Sequence, residues 1–325
     1  MKRKIEFCLL LLLMASCHKV EDRALNKKSD VPQSDLTTEQ FLDRAFKQKM
    51  SQAAIDYMSS RPQADPEEVK KHLNGETNGH NKAAAVWGIT SNRQVWKWNG
   101  SSWFMPNSAA GLDWIDVSTQ GGGVWGISNT HIYKWNGTSW SEPNPAAGLY
   151  SISAISGSTA IGIGGSGIPF ITLDGGLSWY YLGTMSSLNR LNAGDPNNTF
   201  AWGIQQYSPS SGSVSQRLVK YDLVTNTWTT VSTPTVPKWV DQTFSTDVCW
   251  YITNVTGSGS IYKGGGSISF FQPNSAAGLA MVSSYDYFDA WGISSNRVFH
   301  TTDGGASWAE PNPAARLAFI SAGYE

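Results

Sequence analysis

Short apolar segments separated by turns rich in Gly, Asn and Pro recur along the chain from residue 84 onward. A four-residue phrase marks each repeat, and its copies are Val-Trp-Gly-Ile at 86–89 and 124–127, Ala-Ile-Gly-Ile at 160–163, Ala-Trp-Gly-Ile at 201–204 and 290–293, and Cys-Trp-Tyr-Ile at 249–252. A period of roughly 40 residues with several short strand signals in each repeat is typical of four-stranded β-propeller blades. The pattern predicts an all-β propeller over residues 84–325.

The number of blades follows from where the repeat begins and ends. Each repeat opens with a strand after an apolar residue, at Leu112, Leu149, Leu188, Val236, Leu279 and Leu317. The first repeat has no such strand before Val86, whereas the chain ends with a spare copy over 317–322. Closure removes free sheet edges. We therefore expect the C-terminal strand to complete the blade over 86–104 and close a six-bladed ring.

Residues before 84 follow a helical pattern instead. Apolar residues from Phe41 to Tyr57 recur at helical spacing after the N-cap residue Thr37, which predicts one helix over 38–59. A second short helix is predicted over 66–73, with acids in its first turn. We expect residues 37–83 to form a helical stalk or a cap packed on the propeller.

The first residues have the layout of a secretory signal. Basic residues at 2–4 precede an apolar run over 7–14 that is too short to span a membrane. The phrase Met-Ala-Ser-Cys at 14–17 resembles the lipobox of bacterial lipoproteins, and the resemblance implies a signal peptide over 1–16 and lipidation of Cys17. The alternative is an ordinary cleaved signal. Residues 17–36 read as a flexible tether, so we expect a lipid-anchored protein of the bacterial cell envelope, at the outer membrane or the cell surface.

Composition narrows the possible functions. The chain has 24 Lys and Arg against 25 Asp and Glu, and charged residues are concentrated before residue 84. The propeller region is sparsely charged, which gives no electrostatic case for binding nucleic acid. Only three Cys occur, and two of them lie at or before Cys17. A disulfide framework and a Cys-based zinc site are thereby excluded, so stability must come from packing.

Tryptophan supplies that packing. All 15 Trp lie at or after Trp87. Each buried Trp removes roughly 150–250 Å² from water, a gross gain of about 4–6 kcal/mol before entropy is subtracted. We expect the Trp residues to fill the gaps between neighbouring blades, with sugar stacking as the alternative role.

Two predicted hairpins, over 172–179 and 301–308, match the Asp-box pattern of Ser/Thr, any, Asp, any, Gly, any, Ser/Thr, Trp. The carboxylate can accept hydrogen bonds from its own turn, and Gly permits positive φ. Asp-boxes occur in sialidases and in non-enzymatic propellers. The pattern predicts structural roles for Asp174, Trp179, Asp303 and Trp308.

The wider repeat resembles the tectonin family of β-propellers, which includes lectins. The phrases that carry the resemblance are Val-Trp-Gly-Ile, then Ile132-Tyr133-Lys134-Trp135, then Trp140, followed by a loop of Pro, Ala and Leu. The resemblance covers about residues 84–325 and implies a six-bladed ring that recognises glycans or lipopolysaccharide. The third repeat lacks the Trp, and the fourth and fifth are longer, so the blades need not carry equivalent sites.

The residues argue against catalysis. A sialidase needs an arginine cluster, a Tyr–Glu nucleophile pair and an acid. The propeller region has only Glu142, Glu310 and Glu325 and scattered Arg residues, of which Arg93 and Arg297 occupy matching positions in the repeat. The five His show no metal-ligand spacing. We therefore expect no enzyme activity, no cofactor and no metal.

Two candidate ligand sites follow from the repeat. The first is the face that carries the loops between blades and the turns between second and third strands, and its candidates are Asn92, Arg93, Asn107, Asn129, His131, Asn144, Asn274, Asn296, Arg297 and Asn312. The alternative is the channel mouth, with candidates Trp114, Arg190, Lys238 and Phe319. Amide and guanidinium groups on stiff turns suit sugar hydroxyls.

The leading hypothesis is a membrane-anchored recognition protein that binds glycan or lipopolysaccharide without catalysis. The alternative is a scaffold that binds a protein of a cell-envelope complex, and a glycoside hydrolase is the third possibility. The expected partners are thus a glycan or an envelope protein, with a lipid attachment to the membrane and no nucleic acid.

Overall fold

The computed structural model describes residues 36–75, 84–108, 110–118, 121–193, 200–208, 215–223, 225–243, 247–253, 259–265, 268–275, 277–284 and 286–325. The helices are α1 (Thr38–Phe46), α2 (Gln52–Ser59) and α3 (Pro66–Gly75). The strands are β1 (Ala84–Ile89), β2 (Val95–Trp98), β3 (Trp103–Phe104), β4 (Trp114–Val117), β5 (Val124–Ser128), β6 (His131–Trp135), β7 (Trp140–Ser141), β8 (Ser151–Ala154), β9 (Ala160–Ile163), β10 (Pro169–Thr172), β11 (Tyr180–Tyr181), β12 (Leu188–Asn192), β13 (Phe200–Tyr207), β14 (Ser215–Asp222), β15 (Thr227–Val231), β16 (Trp239–Gln242), β17 (Cys249–Ile252), β18 (Gly259–Gly265), β19 (Ile268–Phe271), β20 (Gly278–Leu279), β21 (Met281–Ser284), β22 (Ala290–Ser294), β23 (Arg297–Thr301) and β24 (Phe319–Tyr324).

The strands form six antiparallel sheets arranged as a propeller, as predicted. Blade 1 has the order β24-β1-β2-β3, and blades 2 to 5 begin with β4, β8, β12 and β16 as their inner strands. In blade 6, strands β21 to β23 are paired and His300 forms an isolated bridge with Ala309. The C-terminal strand β24 pairs with β1 from Ala84↔Tyr324 to Ile89↔Phe319. The prediction that the last strand closes a six-bladed ring is confirmed.

The Trp-Gly-Ile phrase needs its glycine because a leucine packs on it. A Cβ at Gly88 would lie 2.3 Å from Leu317, and a Cβ at Gly292 would lie 2.3 Å from Leu279. Blade 5 replaces this glycine with Tyr251, which stacks on Tyr262 instead. Val236 is correspondingly 46% exposed. The prediction that Val236 corresponds to the buried leucines is therefore wrong.

A continuous ring of hydrogen bonds joins the six inner strands around the channel. In each blade one inner-strand side chain accepts a hydrogen bond from a backbone N–H of the next blade. The six donor–acceptor pairs are Ala154 N to Asp116 (2.8 Å), Ala193 N to Ser153 (3.0 Å), Gln242 N to Asn192 (2.8 Å), Ser284 N to Asp241 (2.7 Å), Ala322 N to Ser283 (3.0 Å) and Val117 N to Ser321 (2.9 Å). The acceptors are buried, so each bond is protected from competition with water.

A cation or imidazole covers the Trp of the repeat phrase in five blades. The two residues are cross-strand neighbours, and the pairs are Lys97 over Trp87, Lys134 over Trp125, Lys220 over Trp202, Lys263 over Trp250, and His300 stacked on Trp291. Blade 3 has Ile161 opposite Ile171 at this place. It therefore lacks both the large aromatic and the cation–π contact.

Residues 36–75 form a strap that runs across blade 3. Its first part crosses the face with the loops between blades, where Phe41 and Phe46 lie against Phe319 and Trp114 at the channel mouth. The predicted single helix over 38–59 is wrong, because the chain breaks between α1 and α2. At the break Met50 becomes buried, and Ser51 caps α2 by accepting a hydrogen bond from Ala54 N.

The second part of the strap covers the outer edge of blade 3. Tyr181 N donates to Pro62 O at 2.9 Å and Ala64 N donates to Tyr181 O at 2.8 Å, so the edge strand β11 is paired. Helix α3 then places Val69 in a cluster with the Ile and Leu side chains of blades 3 and 4. The strap thus supplies apolar packing to the blade whose repeat phrase lacks a Trp.

We expect Val69→Ala to lower the free energy of unfolding by about 2 kcal/mol, because the side chain is only 1% exposed and its loss leaves a cavity. Guanidinium chloride unfolding measures the change. The matched control is Lys70→Ala, one position along on the exposed side of α3. Equal stability of the two variants would contradict a packing role for the strap.

Candidate functional site

A groove of about 750 Å³ lies between α1 and blades 3 to 5 on the face with the loops between blades. Its size follows from an irregularity of blade 4. Strands β13 and β14 have eight residues each, and β13 continues three residues past Ile204. At about 3.3 Å per residue the hairpin extends about 10 Å beyond the usual end of the repeat phrase. Helix α1 forms the opposite wall, so the groove depends on two features outside the repeat.

The blade 4 wall of the groove is lined with amides. Asn189, Gln206 and Gln216 all contribute side chains to it. The Gln216 Oε1 is buried without a hydrogen-bond partner, and within the described residues the Asn189 and Gln206 amides form no side-chain hydrogen bond. Half-buried Phe46 and Tyr150 add aromatic surface on the other side. Aromatic faces beside a few free polar groups are typical of small-ligand sites.

The groove floor is formed at the channel mouth by Trp114, Trp239 and Arg190. The Arg190 guanidinium carbon lies 3.2 Å from the centroid of Trp239 and 4.6 Å from that of Trp114. Its Nε donates to Val240 O at 3.1 Å, whereas its buried Nη1 has no partner. Burial lowers the pKa of Arg190 to about 9, so the side chain is still a cation at neutral pH.

Two buried carboxylates lie deeper in the channel. Asp241 accepts hydrogen bonds from Asn192 Nδ2 at 3.0 Å and from Ser284. Asp116 accepts from Ala154 N and from the Ser321 hydroxyl. Burial raises the pKa of Asp116 to about 6 and that of Asp241 to about 7. Their oxygens therefore accept hydrogen bonds from the inner strands that line the channel.

Three of the four channel-mouth candidates line the groove, namely Trp114, Arg190 and Lys238. Phe319 is buried beneath α1 instead. The sequence alignment placed Lys238 at the level of Trp114, and this is wrong by one residue. Trp239 pairs with Ile252 as Trp114 pairs with Ile127, so Trp239 occupies that level. A shift of one residue turns a strand side chain to the other face, and Lys238 is therefore exposed.

Arg93 is a structural residue. It is buried, and its Nη2 donates to Asp113 at 2.9 Å and to Ser128 at 2.7 Å. The prediction that Arg93 and Arg297 occupy matching positions is wrong, because the first turn is one residue longer. Ile89 pairs with Val95 and Ile293 with Val298, which leaves Arg93 in the turn at a φ of 73°.

Arg297 and His131 are paired with acids of their own blades. Arg297 forms a two-pronged ion pair with Glu310, and its Nε lies 2.8 Å from Glu310 Oε1. His131 Nδ1 lies 2.6 Å from Glu142 Oε1. The hydrogen bond to Glu142 raises the pKa of His131. Both pairs lie at the outer part of a blade, on β23 and β6.

Two of the loop asparagines join neighbouring blades. Asn144 Nδ2 donates to Leu177 O at 2.8 Å and Asn274 Nδ2 donates to Ala306 O at 3.0 Å, both in the Asp-Gly-Gly turn of the next blade. Asn296 Nδ2 donates to Leu36 O of the strap at 3.2 Å. These three amides are therefore engaged in holding the fold together.

The remaining loop candidates are more accessible. Asn92 accepts from the Thr90 hydroxyl and is exposed, as is Asn129 at a φ of 51°. Asn107 and Asn312 are half-buried, and Asn312 Oδ1 accepts from Ala314 N at 3.0 Å. None of the four lines the groove. A ligand role for them stays a prediction.

The two Asp-Gly-Gly turns have the same internal geometry. Asp174 Oδ1 accepts from Ser178 N at 2.9 Å, and Asp303 Oδ1 accepts from Ser307 N at 2.9 Å. Hydrogen bonds from Ser307 and Thr301 hold the pKa of Asp303 down to about 2. Trp179 and Trp308 pack edge-to-face on the Trp residues of the preceding blades, Trp125 and Trp250.

The groove residues that sequence reasoning missed are Asn189, Gln206, Gln216 and Trp239. A signal for the first three was present, because the spacing of the repeat is longest between the fourth phrase and the fifth. Within the described ranges no group of three His, Cys, Asp or Glu is placed to hold a metal, and no helix there is long and apolar enough to cross a membrane.

No protein-family model and no curated protein matches the chain. Solved structures are similar in fold. A chain of a nidogen/laminin complex has a TM-score of 0.57 at 9% identity over 74% of this chain and 98% of that one. A TolB protein from Agrobacterium tumefaciens has a TM-score of 0.53 at 10% identity over 74% and 97%. YCF48 from Cyanidioschyzon merolae has a TM-score of 0.45 at 16% identity over 71% and 82%. Likeness at such identities shows the propeller fold alone.

We expect Arg93→Ala to lower the free energy of unfolding by about 3 kcal/mol, because the buried Asp113 loses its nearest cation. Arg297→Ala is the matched control and should cost far less, since its ion pair is exposed. Chemical unfolding measures both. If the two substitutions were equally damaging, the structural assignment of Arg93 would be wrong.

We expect the raised pKa of Asp116 to make the free energy of unfolding depend on pH. Its folded pKa is raised to about 6 from 3.8, so its contribution is present below pH 3.8 and is lost as pH rises through 6. In Asp116→Asn the amide can still accept from Ala154 N and donate to Ser321 Oγ. Relative to this variant, wild type should lose about 1 kcal/mol of stability between pH 5 and pH 8. Urea unfolding at both pH values measures the difference, and a constant difference would contradict a raised pKa.

Proposed function

We propose that the protein is a non-catalytic recognition protein that binds a glycan in the groove between α1 and blades 3 to 5. The observation that carries the proposal is the set of three uncommitted amides, Asn189, Gln206 and Gln216, facing aromatic side chains across a groove of about 750 Å³. Amides form paired hydrogen bonds with vicinal hydroxyls, and aromatic faces cover the apolar side of a sugar ring.

The location of this activity is part of the proposal. Cys17 and the tether lie outside the described residues, and we propose that a lipid on Cys17 holds the propeller at the cell envelope. The motivation is the resemblance of residues 14–17 to a lipobox. Fractionation of a Cys17→Ser chain tests the anchor, and its retention in the membrane fraction would count against lipid attachment.

Binding of the full chain to a printed glycan array tests the proposed function. We expect a restricted set of hits, and we expect Gln206→Ala to weaken the best of them about tenfold through the loss of one or two hydrogen bonds. Asn92→Ala is the matched control, because Asn92 is an exposed amide on the same face outside the groove.

Three outcomes of this experiment would contradict the proposal. The absence of any hit would remove glycan binding, and a loss caused only by Asn92→Ala would move the site back to the repeated turns. Release of reducing sugar from a bound hit would replace recognition by hydrolysis.

A protein scaffold is the second candidate, and exposed apolar side chains on blades 5 and 6 favour it. Ile268 and Phe271 of the outer strand β19 are 39% and 42% exposed, and Phe288 of blade 6 is 59% exposed. Exposed aromatic groups of this size often mark protein contacts. Affinity capture of one stoichiometric partner that Phe271→Ser releases and Gln206→Ala does not would favour this function.

A further inference from the structure

Among the described residues, Arg190 is a buried cation without an ion pair. Its side chain is 5% exposed, and among the described residues no carboxylate oxygen lies within 4.0 Å of it. Its Nε donates to Val240 O, but its Nη1 has no partner in the part of the chain that the structure describes. Buried charges in proteins are normally paired, because an unpaired one loses its hydration without compensation. Packing alone therefore does not explain why a charged guanidinium is buried at this position.

Against the larger effect of burial, two acids in the channel, Asp241 and Asp116, raise the pKa of Arg190 and favour its charged form, but no oxygen of either lies within 4.0 Å of it. Asp241 is bound by Asn192 and Ser284, and Asp116 by Ala154 and Ser321. The other neighbours of the guanidinium are the faces of Trp114 and Trp239. Aromatic faces attract the cation but leave its N–H donors unused.

Arg190 is one of the residues that line the groove, and a second cation lies there as well. Lys238 lines the groove, is exposed, and within the described residues has no acidic partner. The opposite wall carries Glu39 and Asp43 of α1, and Asp43 is paired with Lys47 at 2.8 Å. Positive charge therefore lies on the side of blades 4 and 5, and the negative charge of Glu39, which has no cationic partner among the described residues, lies on the side of α1.

We propose that the groove is specific for acidic saccharides, whose carboxylate or phosphate lies against Arg190 and Lys238 while the sugar hydroxyls meet the amides of blade 4. The proposal rests on the proposed glycan-binding function and specifies its substrate class. A carboxylate or phosphate oxygen complements the unused guanidinium donors, and desolvation in the groove strengthens the contact. The charge asymmetry also fixes the orientation of the ligand, with its acidic group away from α1.

The test begins with an array that presents sialylated, uronate-containing, phosphorylated and neutral glycans to the full chain. We expect hits among the acidic glycans only, with affinity falling as ionic strength rises. The class of the hits separates a carboxylate from a phosphate as the recognised group. The best acidic glycan and its uncharged counterpart, a methyl ester or a dephosphorylated form, are then titrated by calorimetry.

Charge variants on the two walls make the test independent of folding. Lys238→Gln, at an exposed position, should weaken binding of the acidic glycan about fivefold. Glu39→Gln should strengthen the acidic glycan about twofold, because it removes the opposing charge. Arg190→Gln should abolish acidic binding, with folding of the variant checked by near-ultraviolet circular dichroism.

The outcomes distinguish the two levels of the proposal. Binding of neutral and acidic glycans with equal affinity, or an acidic hit insensitive to Lys238→Gln and Glu39→Gln, would overturn the acidic specificity and leave glycan recognition standing. The absence of all binding would overturn both.

Discussion

The ring of side-chain to backbone hydrogen bonds around the channel is the interaction on which the rest of the molecule depends. Each of its six acceptors belongs to one blade and receives a backbone N–H of the next, so every blade is fixed to both neighbours at the axis. The closing pair of β24 and β1 provides the step between the last blade and the first. Since Ser321 accepts from Val117 and Ala322 donates to Ser283, the C-terminal strand is a full member of the ring.

The ring also explains why the site lies where it does. The polar side chains deep in the channel are all engaged in the hydrogen bonds between blades. One position nearer the channel mouth, the Trp114 and Trp239 indoles donate to Ile152 O and Val282 O of the next blades. Arg190 occupies the same level in blade 4 and makes the same kind of bond to Val240 O. A guanidinium has five N–H donors where an indole has one. Arg190 in place of an aromatic residue therefore makes the hydrogen bond between blades and still leaves its Nη1 without a partner among the described residues.

In this chain the residues that recur in every blade stabilise the fold, whereas the candidate site is formed by features that occur only once. The sequence predicts the number of blades, the closing strand and the packing role of Trp, because these depend on features that recur in every blade. The prediction that the recurring loop asparagines bind a ligand relies on the same recurrence. Asn144 and Asn274 recur because each joins two blades, and a ligand has no need of such symmetry. The repeat does not predict the groove, because the groove is formed by a long hairpin in one blade and by a helix outside the repeat.

The errors in detail have a common physical origin as well. Alignment by spacing assumes that each turn has the same length, and one additional residue is enough to move Arg93 from a strand into a turn with positive φ. A difference of one residue likewise separates the exposed Lys238 from the buried Trp239. The break between α1 and α2 was missed because Met50 and Ser51 fit a continuous helical pattern. In the structure Met50 is buried near Gly148 and Gly165 of the propeller, and Ser51 caps α2.

The strap links the stability of the propeller to the proposed recognition. Blade 3 has Ile161 and Ile171 where other blades have a Trp and a cation, and residues Ala64 and Val69 of the strap complete its packing. The same strap carries α1, whose Phe46 closes one wall of the groove and packs on Trp114 of its floor. The strap therefore has two roles. It completes the packing of blade 3, and its helix α1 forms one wall of the groove beside that blade.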